Sequence, residues 1–270
     1  MKTLSNTQSN ASSESDALVA TPMLDFHHPS IQALVQDQGW QALSAYQAIG
    51  AIYTYVRDGI KFGYNLDDRL AASKVLKDGY GQCNTKGTLL MALLRAVGVP
   101  TRIHGFTIYN ALQRGAIPNY LFKLAPDRIL HSWVEVYLEG EWINLEGYII
   151  DQDYLTKVQQ AFSGSLADGC EQFSGYGIAT KCLSKPPVDW QGQDTYIQKE
   201  GIADDFGTYS QPDDFYRQYG TNLTGLKKAL FRYLIRHLMN WNVNGIRKKG
   251  LMLKKSKVKA SFKQLYDSQL

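Results

Sequence analysis

A thiol, an imidazole and a carboxylate are the groups with which proteins commonly perform acyl transfer. The thiolate attacks, the imidazole generates it, and the carboxylate orients the imidazole. One such set is written into this 270-residue chain as Cys83, His131 and Glu146. Cys83 follows Gly81-Gln82 at the entry to an apolar helical run, where unpaired backbone N–H groups and the positive end of the helix dipole favour a thiolate. His131 stands at the start of a predicted strand and Glu146 at the end of the next, across the Glu139-Gly140 turn. A hairpin sets these two side by side, so the carboxylate can accept from one ring nitrogen while the other faces the thiol. Taken singly, each residue has a plainer role: a small packed cysteine, a strand-end histidine, a solvated glutamate. Only the combination points to catalysis.

The elements that must position these groups show as changes of period. Gln41 to Asp58 places Ala45, Ala48, Ile49, Ile52 and Val56 at helical intervals despite Gly50, and Gly59 stops it. Asn84 to Val97 is a second helix, closed by Gly98 and Pro100. Thr101 to Tyr109, His131 to Leu138 and Trp142 to Leu145 are rich in β-branched and aromatic residues and read as strands. This order predicts an α+β fold with an antiparallel sheet on the Cys83 helix, and Trp133 and Trp142 as core residues. Asn110 to Arg128, with Pro118 and Pro126, reads as a surface excursion. Gly147 to Pro212 has weak periodicity and reads as either an elaboration over the core or a lid. The chain divides into a disordered tail (1–20), a catalytic domain with insertions (21–215) and a basic helical extension (216–270).

Four motifs occur in a fixed order: Tyr80-Gly81-Gln82-Cys83, then Leu93 to Arg102 (LLRAVGVPTR), then His131-Ser132-Trp133-Val134-Glu135-Val136-Tyr137, then Trp142-Ile143-Asn144-Leu145-Glu146. Together with the upstream run Ile52 to Phe62 they closely resemble the transglutaminase-like core, in the form of its bacterial members. The resemblance spans roughly Gln41 to Gly147. It implies a papain-like fold, a triad of Cys83, His131 and a carboxylate, and the Cys83 backbone N–H as one oxyanion donor. The family usually carries Asp where this chain has Glu146, with Asp151 in reserve, and a different pattern where this chain has Asn84-Thr85-Lys86.

Around the triad, Gln82, Tyr64 and Trp40 are candidates for oxyanion or substrate contacts, and Gln82 can equally restrain its own loop. Arg95 and Arg102 could bind a substrate carboxylate, against the commoner surface role. Cys170 and Cys182 lie twelve residues apart with no CxxC or HxxxH companion, and His27-His28 is an adjacent pair, so no metal site is expected. Neither GxxxxGK[ST] nor GxGxxG occurs, so no nucleotide or other cofactor is expected. Only three cysteines, with Cys83 far in sequence from Cys170 and Cys182, predict free thiols, a reducing compartment and a cytoplasmic location. No secretory signal and no membrane-spanning run is evident.

Twelve of the 29 basic residues and none of the acidic ones fall between Thr221 and Lys263, leaving 17 basic against 25 acidic elsewhere, a net of −8. Leu226, Leu230, Tyr233, Leu234, His237, Leu238 and Trp241 form an apolar stripe there, with Lys227, Lys228, Arg232 and Arg236 largely off it. Such a helix covers the acidic core, rests on an anionic membrane surface, or contacts nucleic acid, the last without any sequence-reading motif. The chain is therefore expected to act on a peptide or small amide substrate, by hydrolysis or amide formation in preference to protein crosslinking. The competing reading is a binding or scaffold module that keeps the fold without the chemistry.

Overall fold

The computed structural model describes residues 16–118, 122, 126–163, 170 and 172–251. Ahead of the main sheet run α1 (Pro29–Asp37), α2 (Ala45–Thr54), β1 (Lys61–Phe62), α3 (Ala72–Asp78), β2 (Tyr80–Gly81) and α4 (Cys83–Ala96). Then come β3 (Thr101–Tyr109), β4 (Arg128–Leu138), β5 (Glu141–Leu145), α5 (Gln152–Phe162), β6 (Phe173–Gly175) and β7 (Ile178–Thr180). Finally β8 (Ile202–Tyr209), α6 (Pro212–Tyr219), α7 (Gly225–Leu230) and α8 (Arg236–Lys249) follow, the last two joined by a π-helical turn over Phe231–Ile235.

The α+β reading stands. Strands pair antiparallel in the order β5-β4-β3-β8, and α4 packs on β4 and against α3. Every α4 residue from Asn84 to Arg95 is buried, so this is a core helix rather than a one-sided one. Its polar positions are bonded accordingly. Lys86 Nζ donates to the carbonyls of Arg57 and Ile149, and Thr85 Oγ1 donates to Asn65 Oδ1.

Helix α2 begins later than the periodicity predicts because Ser44 and Gln47 close a capping box there. Gly50 sits in its middle because a Cβ would lie 2.6 Å from Trp190 Cδ1. The tail expected over 1–20 lies outside the described residues only up to residue 15. Ala17 is buried, and its carbonyl accepts from Thr101 N.

Several other expectations are corrected. The excursion after β3 is not purely superficial: Leu112, Gln113, Ala116 and Ile117 are buried. Residues 147–212 supply β8, which pairs along β3, and α5, whose Tyr154, Leu155 and Val158 enter the core. Trp133 is a core residue as expected, but Trp142 is only half-buried, lying beneath the Arg102 guanidinium. The free-thiol expectation fails for two cysteines, since Cys170 and Cys182 form a disulfide. They flank the β6–β7 hairpin, whose pairing of Phe173 with Thr180 brings its two ends together. With that bond formed, the cysteines no longer point to a reducing compartment.

The basic extension packs on the body, but of the stripe that the sequence suggests Leu238 meets the core and Leu230 the cavity beside Cys83, while other members face outward. Met239, Val243 and Ile246 are buried, while Leu226, Tyr233 and Trp241 are 86%, 74% and 78% exposed. Asn240 exchanges hydrogen bonds with the backbone of Tyr64, Asn242 donates to the carbonyls of Gly115 and Ala116, and Arg247 pairs with Asp151. Among the described residues no helix is long and apolar enough to cross a membrane.

Candidate active site

The turn that delivers Cys83 is built from close approaches. A Cβ at Gly81 would lie 2.7 Å from Thr85 Oγ1 and 2.9 Å from Lys86 Cγ, so only glycine lets β2 run this tightly into α4. The turn is then tied to its surroundings by Asp68, whose Oδ1 accepts from Gln82 Nε2 and Asn84 Nδ2 and whose Oδ2 accepts from Asn222 Nδ2. Asn84 also reaches β4, donating to the Leu130 carbonyl and accepting from Ser132 Oγ.

On the sheet, β5 ends at Leu145 opposite Val134. Glu146 therefore comes level with Trp133 and reaches diagonally to His131, two residues along the same face. Glu146 Oε1 lies 3.2 Å from His131 Nε2, and both side chains are fully buried. Its other oxygen, Oε2, accepts from the backbone N–H groups of Ile197 and Gln198, each at 2.9 Å. The carboxylate is thus clamped by a segment 51 residues further along. Phe106 on β3 meets the imidazole edge to face at 4.7 Å. Nδ1 of His131 is buried and has no hydrogen-bond partner among the described residues.

Cys83 is half-buried and is a free thiol. Burial pushes its pKa well above the ordinary value, the Asp68 and Glu146 carboxylates push the same way, and the backbone N–H groups of Asn84 and Ser132 pull it back. The shift runs against the thiolate expected at a helix entry, because desolvation and the Asp68 and Glu146 carboxylates outweigh the two backbone N–H groups. Tyr148, just beyond Glu146, donates from its hydroxyl to the Cys83 carbonyl at 3.2 Å. His131 and Glu146 are in direct contact. Cys83 lies beside them, within the field of Glu146 and against the Ser132 N–H, but its thiol makes no hydrogen bond to Nδ1.

The remaining candidates separate. Tyr64 lines a cavity with Cys83, and its hydroxyl donates to Gln113 Oε1 at 2.9 Å. Gln82 lines the same cavity, but both ends of its amide are engaged, by Asn65 N and Asp68, so it restrains its loop. Trp40 is buried edge-on against Tyr55 and does not line the cavity. Arg95 is buried and bonded to the carbonyls of Val19, Thr101 and Ser210, a structural role. Arg102 pairs with Glu135. Asp151 caps α5, accepts from Phe62 N and pairs with Arg247, so the reserve carboxylate is committed elsewhere. Among the described residues no group of three or more His, Cys, Asp or Glu is placed to hold a metal ion.

Sequence reasoning missed Asp68, Asn222 and Gln113. Asp68 and Asn222 carry no motif of their own. Gln113 lies in the segment read as superficial.

Residues 32–147, which include Cys83, His131 and Glu146, match the family model of the transglutaminase-like superfamily. Over these residues the chain is similar to the transglutaminase-like superfamily. In structure the chain is similar to a solved protein from Cytophaga hutchinsonii described as a "Putative Cysteine Protease", with 15% identity and a TM-score of 0.43 over 74% of this chain and 48% of that one. The chain spans about half the length of that protein. No curated protein matches the sequence.

Proposed function

We propose that this protein is a thiol-dependent acyl-transfer enzyme acting on an amide bond. The buried His131–Glu146 pair carries the reading, because its Nδ1 has no partner among the described residues while the N–H of the adjacent Ser132 faces the thiol of Cys83, a half-buried cysteine that opens a helix. A protonated thiol in a carboxylate-rich setting calls for a base, and Nδ1 is the one on hand. In this scheme Nδ1 takes the thiol proton as sulfur attacks the carbonyl carbon, Glu146 steadies the resulting imidazolium through Nε2, and the same proton passes to the departing amine. The carbon–nitrogen bond breaks and a Cys83 thioester remains, which water resolves to an acid or a second amine resolves to a new amide. The Cys83 N–H is one oxyanion donor. Gln113, whose Oε1 is taken by Tyr64 and whose Nε2 has no partner among the described residues, is the second.

Mass spectrometry of protein quenched during turnover of an activated acyl amide tests this. The acyl mass is expected on Cys83, absent in Cys83→Ala and His131→Ala, with acylation slowed roughly 10²- to 10⁴-fold in Glu146→Gln. Product analysis with and without added amine separates hydrolysis from transfer. Native protein that neither acylates nor turns over would leave a binding or scaffold module. We further infer that the enzyme works against an anionic membrane surface, on the strength of the exposed Leu226, Tyr233 and Trp241 beside the exposed Lys227, Arg232, Lys248 and Lys249.

A further inference from the structure

Beside Cys83 lies a cavity of about 190 Å³. Its walls come from two parts of the chain. The core contributes Leu66, Ile117 and Leu130, and the extension contributes Phe231, Ile235 and Met239. The polar groups that reach it are almost all satisfied by one another. Asp67 pairs with Lys228 at 2.6 Å, Asp68 holds three side-chain amides, and the Tyr64 hydroxyl is bonded to Gln113. A ligand lying here meets mostly hydrocarbon, with Cys83 and Gln113 among the residues that line it. A peptide backbone or a charged chain would lose its hydrogen bonds to water and recover few.

We propose that this cavity holds the apolar acyl group of the substrate, so that the carbonyl attacked by Cys83 carries an unbranched hydrocarbon chain. The proposal rests on the acyl-transfer reading and names the substrate class for that site. A cavity of about 150 Å³ accepts benzene, so this one takes on the order of six to eight carbons. The reaction is R–CO–NH–R′ plus Cys83 thiol giving the R–CO thioester and R′–NH₂, then water or an amine restoring the thiol, with R inside the cavity and R′ outside. Each methylene buried on the way to a full cavity strengthens binding roughly fourfold.

Calorimetry with Cys83→Ala separates the pocket from the chemistry. Acetamide, butanamide, hexanamide, octanamide and dodecanamide are titrated in turn, with N-acetyl-phenylalanine amide as the rival ligand. Affinity is expected to climb with chain length and level off near octanamide. Ile235→Trp and, independently, Leu230→Trp narrow the cavity from the covering helices. Each is expected to weaken octanamide at least tenfold while the circular dichroism of the native protein is retained. A flat series, or tighter binding of the phenylalanine derivative, which would mark a side-chain subsite, overturns the proposal. Octanamide binding without turnover of octanoyl p-nitroanilide by native protein would leave the pocket intact and sink the acyl-transfer reading instead.

Discussion

The Cys83 thiol is held protonated by burial and by two carboxylates, Asp68 foremost. Asp68 is itself pushed up by burial, which its three amide donors oppose. Neutralising it should favour the thiolate, so Asp68→Asn is expected to shift the pH profile of Cys83 alkylation by iodoacetamide to lower pH and raise the rate near neutrality. Intact-mass kinetics across a pH series checks this; an unshifted profile would show that Asp68 acts only as a tether. At this scale much was legible in the sequence. Cys83, His131 and Glu146 each announce themselves by residue type beside a glycine or a strand end, and the His131–Glu146 contact follows from the hairpin. Asp68 could not be read, because its partners Gln82, Asn84 and Asn222 lie up to 154 residues away.

Helix α4 carries a different burden. Its Lys86 is enclosed, and burial brings its pKa down to about 7. In the unfolded chain a lysine titrates near ~10.4. Between those values the unfolded chain holds a proton that native Lys86 has given up, so stability rises with pH across the window and this residue adds no slope below it. Lys86→Met is expected to remove that slope, read as urea-unfolding free energies at about pH 7 and about pH 10. Equal pH dependence in the two proteins would refute it. Elements whose pattern is local matched the sequence closely: β3 runs from Thr101 to Tyr109 as expected, and α4 ends at Ala96 before Gly98. β8 escaped because Asp204, Asp205 and Gly207 dilute its alternation and its sheet partner, β3, lies about a hundred residues earlier. In the extension the outward stripe was visible, whereas the docking face through Phe231, Ile235 and Met239 was masked by the π-helical turn that shifts its phase.

For the whole molecule the extension is two-faced. One side closes the cavity and the other turns Leu226, Tyr233 and Trp241 outward, with Lys227, Arg232, Lys248 and Lys249 exposed and no acidic residue from Thr221 to Leu251. Lipid binding of this kind needs both apolar contact and anionic charge. The protein is expected to co-sediment with phosphatidylserine-containing vesicles, far less with pure phosphatidylcholine, and to be released by high salt. The double variant Leu226→Glu/Tyr233→Glu should lose binding while retaining the circular dichroism of the native protein. Equal binding to both lipids, or none, removes the inference.

The wall of the cavity has one more implication, for biosynthesis. Tyr64 is gripped by Asn240, so a residue made early is seated by one made 176 positions later. While a ribosome is still translating the middle of the message, Cys83 has been made but the residues that roof the cavity beside it have not. The nascent polypeptide therefore passes through a stage in which this cavity lacks the wall that Phe231, Ile235 and Met239 supply.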